Sequence, residues 1–226
     1  MRCPIPSACT LFVDFDHTLY DSDAFLRGLH RAMAPSVSWR RFHSAFERLT
    51  ESSGDVPYDP AAHLEHLLRD QLSPEPIGAR LAEFVERRSG AFLYDDAKSF
   101  LDQMRSHGCR VELLTYSKRD VRLSQLRSAD IMASFDAIHI FENSRGEKVD
   151  YAIGRSTGDG QHILLDDHPR ILQKIEGTHL SGIRIRRKVV KKYIGREPVL
   201  PNVSVVENLT EAESTILAMM SQAQHG

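Results

Sequence analysis

Two short, mainly apolar runs, residues 10–13 and 162–165, each stop abruptly at acids: Asp14 and Asp16 after the first, Asp166 and Asp167 after the second. Runs this short that end in charge fit strands buried on both faces of a parallel sheet better than helices. After Tyr94 the chain alternates. Residues 97–107 read as an amphipathic helix closed by Gly108, and residues 111–114 as a strand ending at Thr115. Residues 118–128, 147–153 and 169–175 then read as helices, and residues 137–141 and 183–186 as strands. This order predicts an α/β fold, a Rossmann-like parallel sheet with helices on both faces. Such sheets bind ligands beyond the carboxyl ends of their strands. Asp14, Asp16, Thr115, Asp166 and Asp167 are therefore expected at one rim.

Between the first strand and the alternating part the rhythm is different. From Ser22 to about Ser89 apolar residues recur at helical spacing, with almost no β-branched runs. Phe25, Leu29 and Met33 mark a first helix, with Asp21, Ser22 or Asp23 available as its cap. Trp39, Phe42, Phe46 and Leu49 mark a second, and Leu64, Leu67, Leu68 and Leu72 a third. Ile77, Leu81, Phe84 and Val85 mark a fourth, after Pro74 and Pro76. These stripes read as core. The expected organisation is an α/β core of residues 1–20 and 93–226, with an all-helical insertion over residues 21–92.

Composition narrows the function classes. The 226 residues carry a net charge of -2 with 41% hydrophobic and 27% charged residues, ordinary for a globular chain without a membrane or nucleic-acid bias. One basic cluster, Arg184, Arg186, Arg187, Lys188, Lys191 and Lys192, reads as a solvated edge or as a contact for an anionic substrate. Cys3, Cys9 and Cys109 are spaced for neither a disulfide framework nor a zinc site. Residues 1–7 lack the apolar run of a signal peptide, and residues 9–13 are too short to span a bilayer. A reduced, cytoplasmic chain is expected; its oligomeric state is open.

Carboxylates converging on one rim repel one another unless a divalent cation joins them, and hard oxygen donors suit Mg2+. A carboxylate can also attack phosphorus directly and form an aspartyl-phosphate. With Asp14 as that nucleophile, Asp16, two positions on, is placed to act as general acid and then to activate water. Thr115 offers a hydroxyl and its loop amides to phosphate oxygens, unless it caps the following helix. Lys148 or Lys118 supplies a neutralising cation. His17 and His168 read as turn residues.

Residues 11–19, Leu-Phe-Val-Asp-Phe-Asp-His-Thr-Leu, resemble the first motif of the haloacid dehalogenase superfamily, an apolar strand followed by Asp-x-Asp-x-Thr. Leu113-Leu114-Thr115 resembles its second motif. Lys148 sits where the third motif places a lysine, and residues 163–167 resemble the fourth, an apolar strand ending in paired acids. The resemblance implies Asp14 as nucleophile and Asp16 as acid/base. It also implies magnesium held by Asp14, the carbonyl of Asp16 and Asp166, with Asp167 ligating or supporting and the two acids able to exchange roles. Where the family often has Asn or Gly, this chain has Tyr116, which would narrow the phosphate pocket beside Thr115 and Lys148.

The second acid, Asp16, separates phosphatases from the dehalogenases of this superfamily, which lack it. Phosphonatases and certain phosphomutases use a lysine in the insertion, but the first lysine of this chain is Lys98. The insertion resembles a C1-type cap, which suits a small phosphorylated metabolite as substrate. Arg27, His30 and Arg41 are its candidate specificity residues. The expected activity is magnesium-dependent hydrolysis of a phosphomonoester. The alternatives are a nucleotide or polynucleotide-end phosphatase and a catalytically silent binding module.

Overall fold

The computed structural model describes residues 9–51, 56–68, 77–157, 160–187 and 200–223. Cys3, Leu72, Pro74, Pro76, Lys188, Lys191 and Lys192 lie outside these residues. Six strands, β1 (Cys9–Val13), β2 (Cys109–Tyr116), β3 (Ala137–Phe141), β4 (Gln161–Asp166), β5 (Ser181–Ile185) and β6 (Val203–Val206), form one sheet in the order β3-β2-β1-β4-β5-β6. Every pairing is parallel. Strand β1 lies centrally, with Val13 in register with Leu113 on one side and Leu165 on the other. The strand order reverses there, and the crevice of an open α/β sheet forms at such a point.

The pleat decides which side chains share a face. Leu11 and Val13 pack into one core with helices α5 (Ala97–Ser106) and α9 (Leu209–Ala223). Phe12, Leu114 and Leu164 enter a second core with α7 (Arg145–Arg155) and α8 (Pro169–Gln173). By the same alternation Asp14, Tyr116 and Asp166 start from the α7 face, whereas Thr115 starts from the α5 face. Gly108, at φ +80, makes the turn from α5 into β2, a conformation side-chain-bearing residues rarely adopt.

Among the described residues of the insertion, four helices, α1 (Ser22–Met33), α2 (Trp39–Glu51), α3 (Pro60–Leu68) and α4 (Ile77–Arg88), follow β1. Asp21 caps α1 by accepting from the amide of Ala24 at 2.8 Å, and Asp59 accepts the amides of Ala61 and Ala62 at the start of α3. Phe25, Leu29, Phe42, Leu64, Leu81 and Phe84 bury their faces together, and Trp39, read as core, stays 36% exposed at the edge. A 3₁₀ turn over Ser89–Phe92 returns the chain to the sheet. Gly90 lets that turn sit against α6 (Arg119–Ser128), since a Cβ there would lie 2.3 Å from the Ser128 carbonyl oxygen.

Two elements, β6 and α9, go beyond the strands and helices read from the sequence. A reciprocal cap starts α9: Asn208 Oδ1 accepts the Glu211 amide at 2.9 Å, and Glu211 accepts from the Asn208 side chain and the Glu207 amide. Two members of the basic cluster depart from the reading as a solvated edge, whereas Arg186 is exposed. Arg184 and Arg187 are 3% and 8% exposed. Arg187 forms a two-pronged ion pair with Asp96 at 2.7 and 2.9 Å and donates to the Thr18 carbonyl at 2.9 Å. A guanidinium with that many partners is better satisfied inside than at a rim. Among the described residues no helix is long and apolar enough to cross a membrane. Cys9 and Cys109 face each other across β1 and β2 as buried thiols that form no disulfide.

Candidate active site

Asp14 follows β1 directly, and its amide continues the ladder by donating to the Leu165 carbonyl at 2.9 Å. Its side chain therefore keeps the α7 direction, and Lys148 on α7 meets it, with Nζ 2.8 Å from Asp14 Oδ1. The same ammonium lies 2.6 Å from Asp166 Oδ2. Lys148 thus takes the place that the sequence left open between Lys148 and Lys118. Burial alone would drive the Lys148 proton off, but Asp14 and Asp166 outweigh it and raise its pKa. The other oxygen of Asp166 accepts from the His168 amide at 2.8 Å.

Oxygen atoms of Asp14, Asp166 and Asp167 all lie within 4.8 Å of one another. Burial pushes Asp14 up to about 7, with Asp166 and Asp16 adding to the rise and Lys148 opposing it. Asp167 is raised as well, by burial first and then by Asp166 and Asp14. One lysine therefore does not relieve the cluster. A hard divalent cation would, and three carboxylate oxygens at this separation fit one.

Asp16 has a different environment. Its Oδ2 pairs with Arg122 of α6, and its Oδ1 accepts from the Ser22 hydroxyl at 2.6 Å. Burial acts to raise its pKa, yet the Arg122 guanidinium and the Ser22 hydrogen bond outweigh it and hold Asp16 below the usual carboxylate range. Arg122 is 2% exposed, stacks its guanidinium 3.9 Å from the centre of the Phe15 ring, and donates to Gln125 Oε1 at 2.9 Å. Neither Arg122 nor Ser22 was singled out from sequence as a site residue. An arginine on an amphipathic helix ordinarily reads as solvent-facing, and only its i, i+3 spacing to Gln125 hints at a shared buried face.

A cavity of about 760 Å³ opens over this rim. Asp14, Asp16, Tyr116, Lys148 and Asp167 line its floor, and Ser117, Arg145 and His168 stand beside them. Arg145 holds its guanidinium 5.6 Å from the Tyr116 ring. Leu26, Arg27, Phe46, Glu47 and Tyr58 of the helical insertion complete the walls. Thr115 is fully buried and is not part of the wall, as its starting face requires; its hydroxyl has no hydrogen-bond partner among the described residues. The loop amides offered to phosphate oxygens are largely committed: Ser117 N–H donates to the Phe141 carbonyl and Arg119 N–H to Glu142. Of the proposed specificity residues, Arg27 reaches the cavity. His30 is turned inward and donates to the Val37 carbonyl at 2.7 Å, and Arg41 is exposed away from it. His168 caps α8, as a turn residue does, and burial pushes its pKa down to about 4.

Residues 11–174 match the haloacid dehalogenase-like hydrolases, a span holding the whole rim. The chain belongs to that family. As a haloacid dehalogenase-like hydrolase it shares its fold with a relative from Burkholderia xenovorans LB400, at TM-score 0.72 and 18% identity over 94% of this chain and 98% of that one. The hydrolase YfnB of Bacillus subtilis, bound to magnesium, aligns at TM-score 0.67 and 14% identity over 92% and 98%. A phosphatase of the family from Thermococcus onnurineus aligns at TM-score 0.62 and 16% identity over 92% and 97%. L-2-haloacid dehalogenases also share the fold. No curated protein sequence matches the chain. At these identities the likeness speaks to fold, and the chemistry must come from the site.

Proposed function

We propose that this hydrolase cleaves phosphomonoesters of a small metabolite, with Mg2+ as cofactor and an aspartyl-phosphate on Asp14 as intermediate. The observation that carries the reading is the second acid: Asp16 stands on the cavity floor beside Asp14, fixed by donors on both of its oxygens. Displacement of halide from carbon needs no such proton-handling group. The cavity of about 760 Å³ also exceeds what a short haloacid would fill.

In the first step Asp14 Oδ attacks phosphorus, the bond to the ester oxygen breaks, and the departing oxygen takes a proton from Asp16. Lys148 opposes the rise that burial gives Asp14 and offsets charge at the reacting centre. In the second step water attacks the phosphoryl group, its proton passes to Asp16, and the Asp14 carboxylate is regenerated with inorganic phosphate. Asp14, Asp166, Asp167 and the carbonyl of Asp16 would hold Mg2+, which when bound neutralises phosphoryl oxygens. Arg145 and Ser117 on the wall are further donors for those oxygens. The helical insertion acts as a cap that keeps bulk water from the reacting centre and supplies contacts to the organic part of the substrate.

The reading as a nucleotide or polynucleotide-end phosphatase rested on the basic cluster. Of its members Arg184 and Arg187 are internal and Arg186 is exposed, so two of the six cations are unavailable to a polyanion. A silent binding module would have no need for the complete acid set. Phosphate release from sugar, amino-acid, nucleoside and aryl phosphates, with and without Mg2+, tests the proposal. Turnover of at least one class that stops on chelation is expected; inactivity throughout the panel would refute it.

A further inference from the structure

We infer that Arg122 is a positioning residue for the hydrolytic half of the reaction, aiming Asp16 as the base that activates water. The inference rests on the phosphatase reading and goes beyond it, because it assigns a task to a buried arginine outside the four motifs. Four observations carry it. Arg122 is 2% exposed, in a helix whose other buried residues are Gln125 and Leu126. Its guanidinium is fixed on three sides, by the Phe15 ring at 3.9 Å, by Gln125 Oε1 at 2.9 Å and by Asp16 Oδ2. Asp16 itself follows β1 in a short turn where His17 takes φ 57, so its backbone direction is set locally. Its remaining oxygen, Oδ1, receives the hydroxyl of Ser22, the first residue of α1.

Both contacts to Asp16 come from donors. Arg122 holds Oδ2 through Nη2, while Nη1 of the same rigid plane is tied to Gln125. Oδ1 is held by a single hydroxyl, which a water molecule can replace without disturbing Arg122. That water, hydrogen-bonded to Oδ1, is the one that attacks the phosphoryl group on Asp14. The P–O bond to Asp14 breaks, phosphate leaves, and the water proton goes to Oδ1. Attack on the substrate by Asp14 does not call on this arrangement when the leaving group is acidic enough to depart without a proton.

The two half-reactions can be separated by rapid quench with an aryl phosphate of an acidic phenol. Wild type, Arg122→Lys, Arg122→Met, Asp16→Asn and the Arg122→Met/Asp16→Asn double variant are compared with Mg2+, and thermal melts confirm that each is folded. In Arg122→Met the labelling of Asp14 is expected to stay within about threefold of wild type. Loss of the label is expected to slow by about 10²-fold, so that phosphoenzyme accumulates after a burst. Arg122→Lys recovers part of the decay rate. In the Asp16→Asn background Arg122→Met costs little more, because the two act as a unit. Equal slowing of both steps, or full additivity in the double variant, makes Arg122 a scaffold residue and overturns the inference alone. If Arg122→Met does not fold, Gln125→Leu, which removes only the brace, should show the same imbalance in milder form, and its absence counts equally against. Wild type without turnover defeats the phosphatase reading and this inference together.

Discussion

Lys148 and Asp14 lie 134 positions apart in sequence and meet at 2.8 Å, with Lys148 also 2.6 Å from Asp166. All three are almost completely buried. Their meeting depends on Asp14 and Asp166 leaving β1 and β4 on the side that α7 covers. Lys148→Met keeps the bulk and removes the charge, leaving two buried carboxylates uncompensated. A loss of about 3–5 kcal/mol is expected without divalent cation. Magnesium should recover part of it. Melting curves with and without Mg2+ check this: an unchanged Tm, or a variant no more responsive to Mg2+ than wild type, would contradict the electrostatic account of the rim.

Arg187 joins three parts of the chain, donating to Asp96, to the carbonyl of Thr18 within the first motif and, through Asp96, bracing the Leu209 amide at the start of α9. Arg187→Leu should destabilise by about 3 kcal/mol, a Tm drop of roughly 6–12 °C for a chain of this size. Arg187→Lys should recover little, because one ammonium cannot reproduce the fork. A Tm within 2 °C of wild type, on the order of 1 kcal/mol or less, would show that the contact is dispensable.

His63 sets an acid limit on the insertion. Its ring is fully buried, Nε2–H donates to the Phe42 carbonyl at 3.0 Å, and Nδ1 accepts from the Tyr58 hydroxyl at 2.7 Å, which requires the neutral form. Burial lowers its pKa from 6.5 to about 4. Between those values the unfolded chain binds the proton that the folded chain refuses, so stability falls as pH drops from 6.5 towards 4. The contribution is at most about 3 kcal/mol. Melting temperature against pH should lose this slope in His63→Gln. A slope equal to wild type would place the acid sensitivity elsewhere.

Much of this arrangement was legible because it follows from local rules. Apolar runs that stop at acids placed Asp14, Asp166 and Asp167 at one rim, since parallel strands present their carboxyl ends together. The surroundings of Asp16 were not legible, because little in residues 119–128 beyond the Gln125 spacing says that Arg122 turns inward; the Phe15 ring, Gln125 and Asp16 make that burial tolerable. Thr115 shows a limit of another kind. The strand was read within β2, which starts earlier and runs on to Tyr116, but the face of Thr115 depends on the register with β1 and β3, which a single strand does not reveal. Residues 208–219 carry a usable helix signal. Asn208 and Glu211 have capping-box spacing, and Leu209, Ala212, Ile216 and Met219 recur at helical intervals.

The central claim, that Asp14 is the nucleophile of a magnesium-dependent phosphatase, is tested most directly by trapping the covalent intermediate. The chain is mixed with Mg2+ and a radiolabelled phosphomonoester that it turns over, quenched in acid, and the label is mapped by peptide. One acid-stable, hydroxylamine-sensitive label per chain is expected on Asp14. It should be absent in Asp14→Asn, with turnover reduced by at least about 10³-fold. Wild-type turnover without any label on Asp14, or undiminished turnover in Asp14→Asn, would contradict the claim.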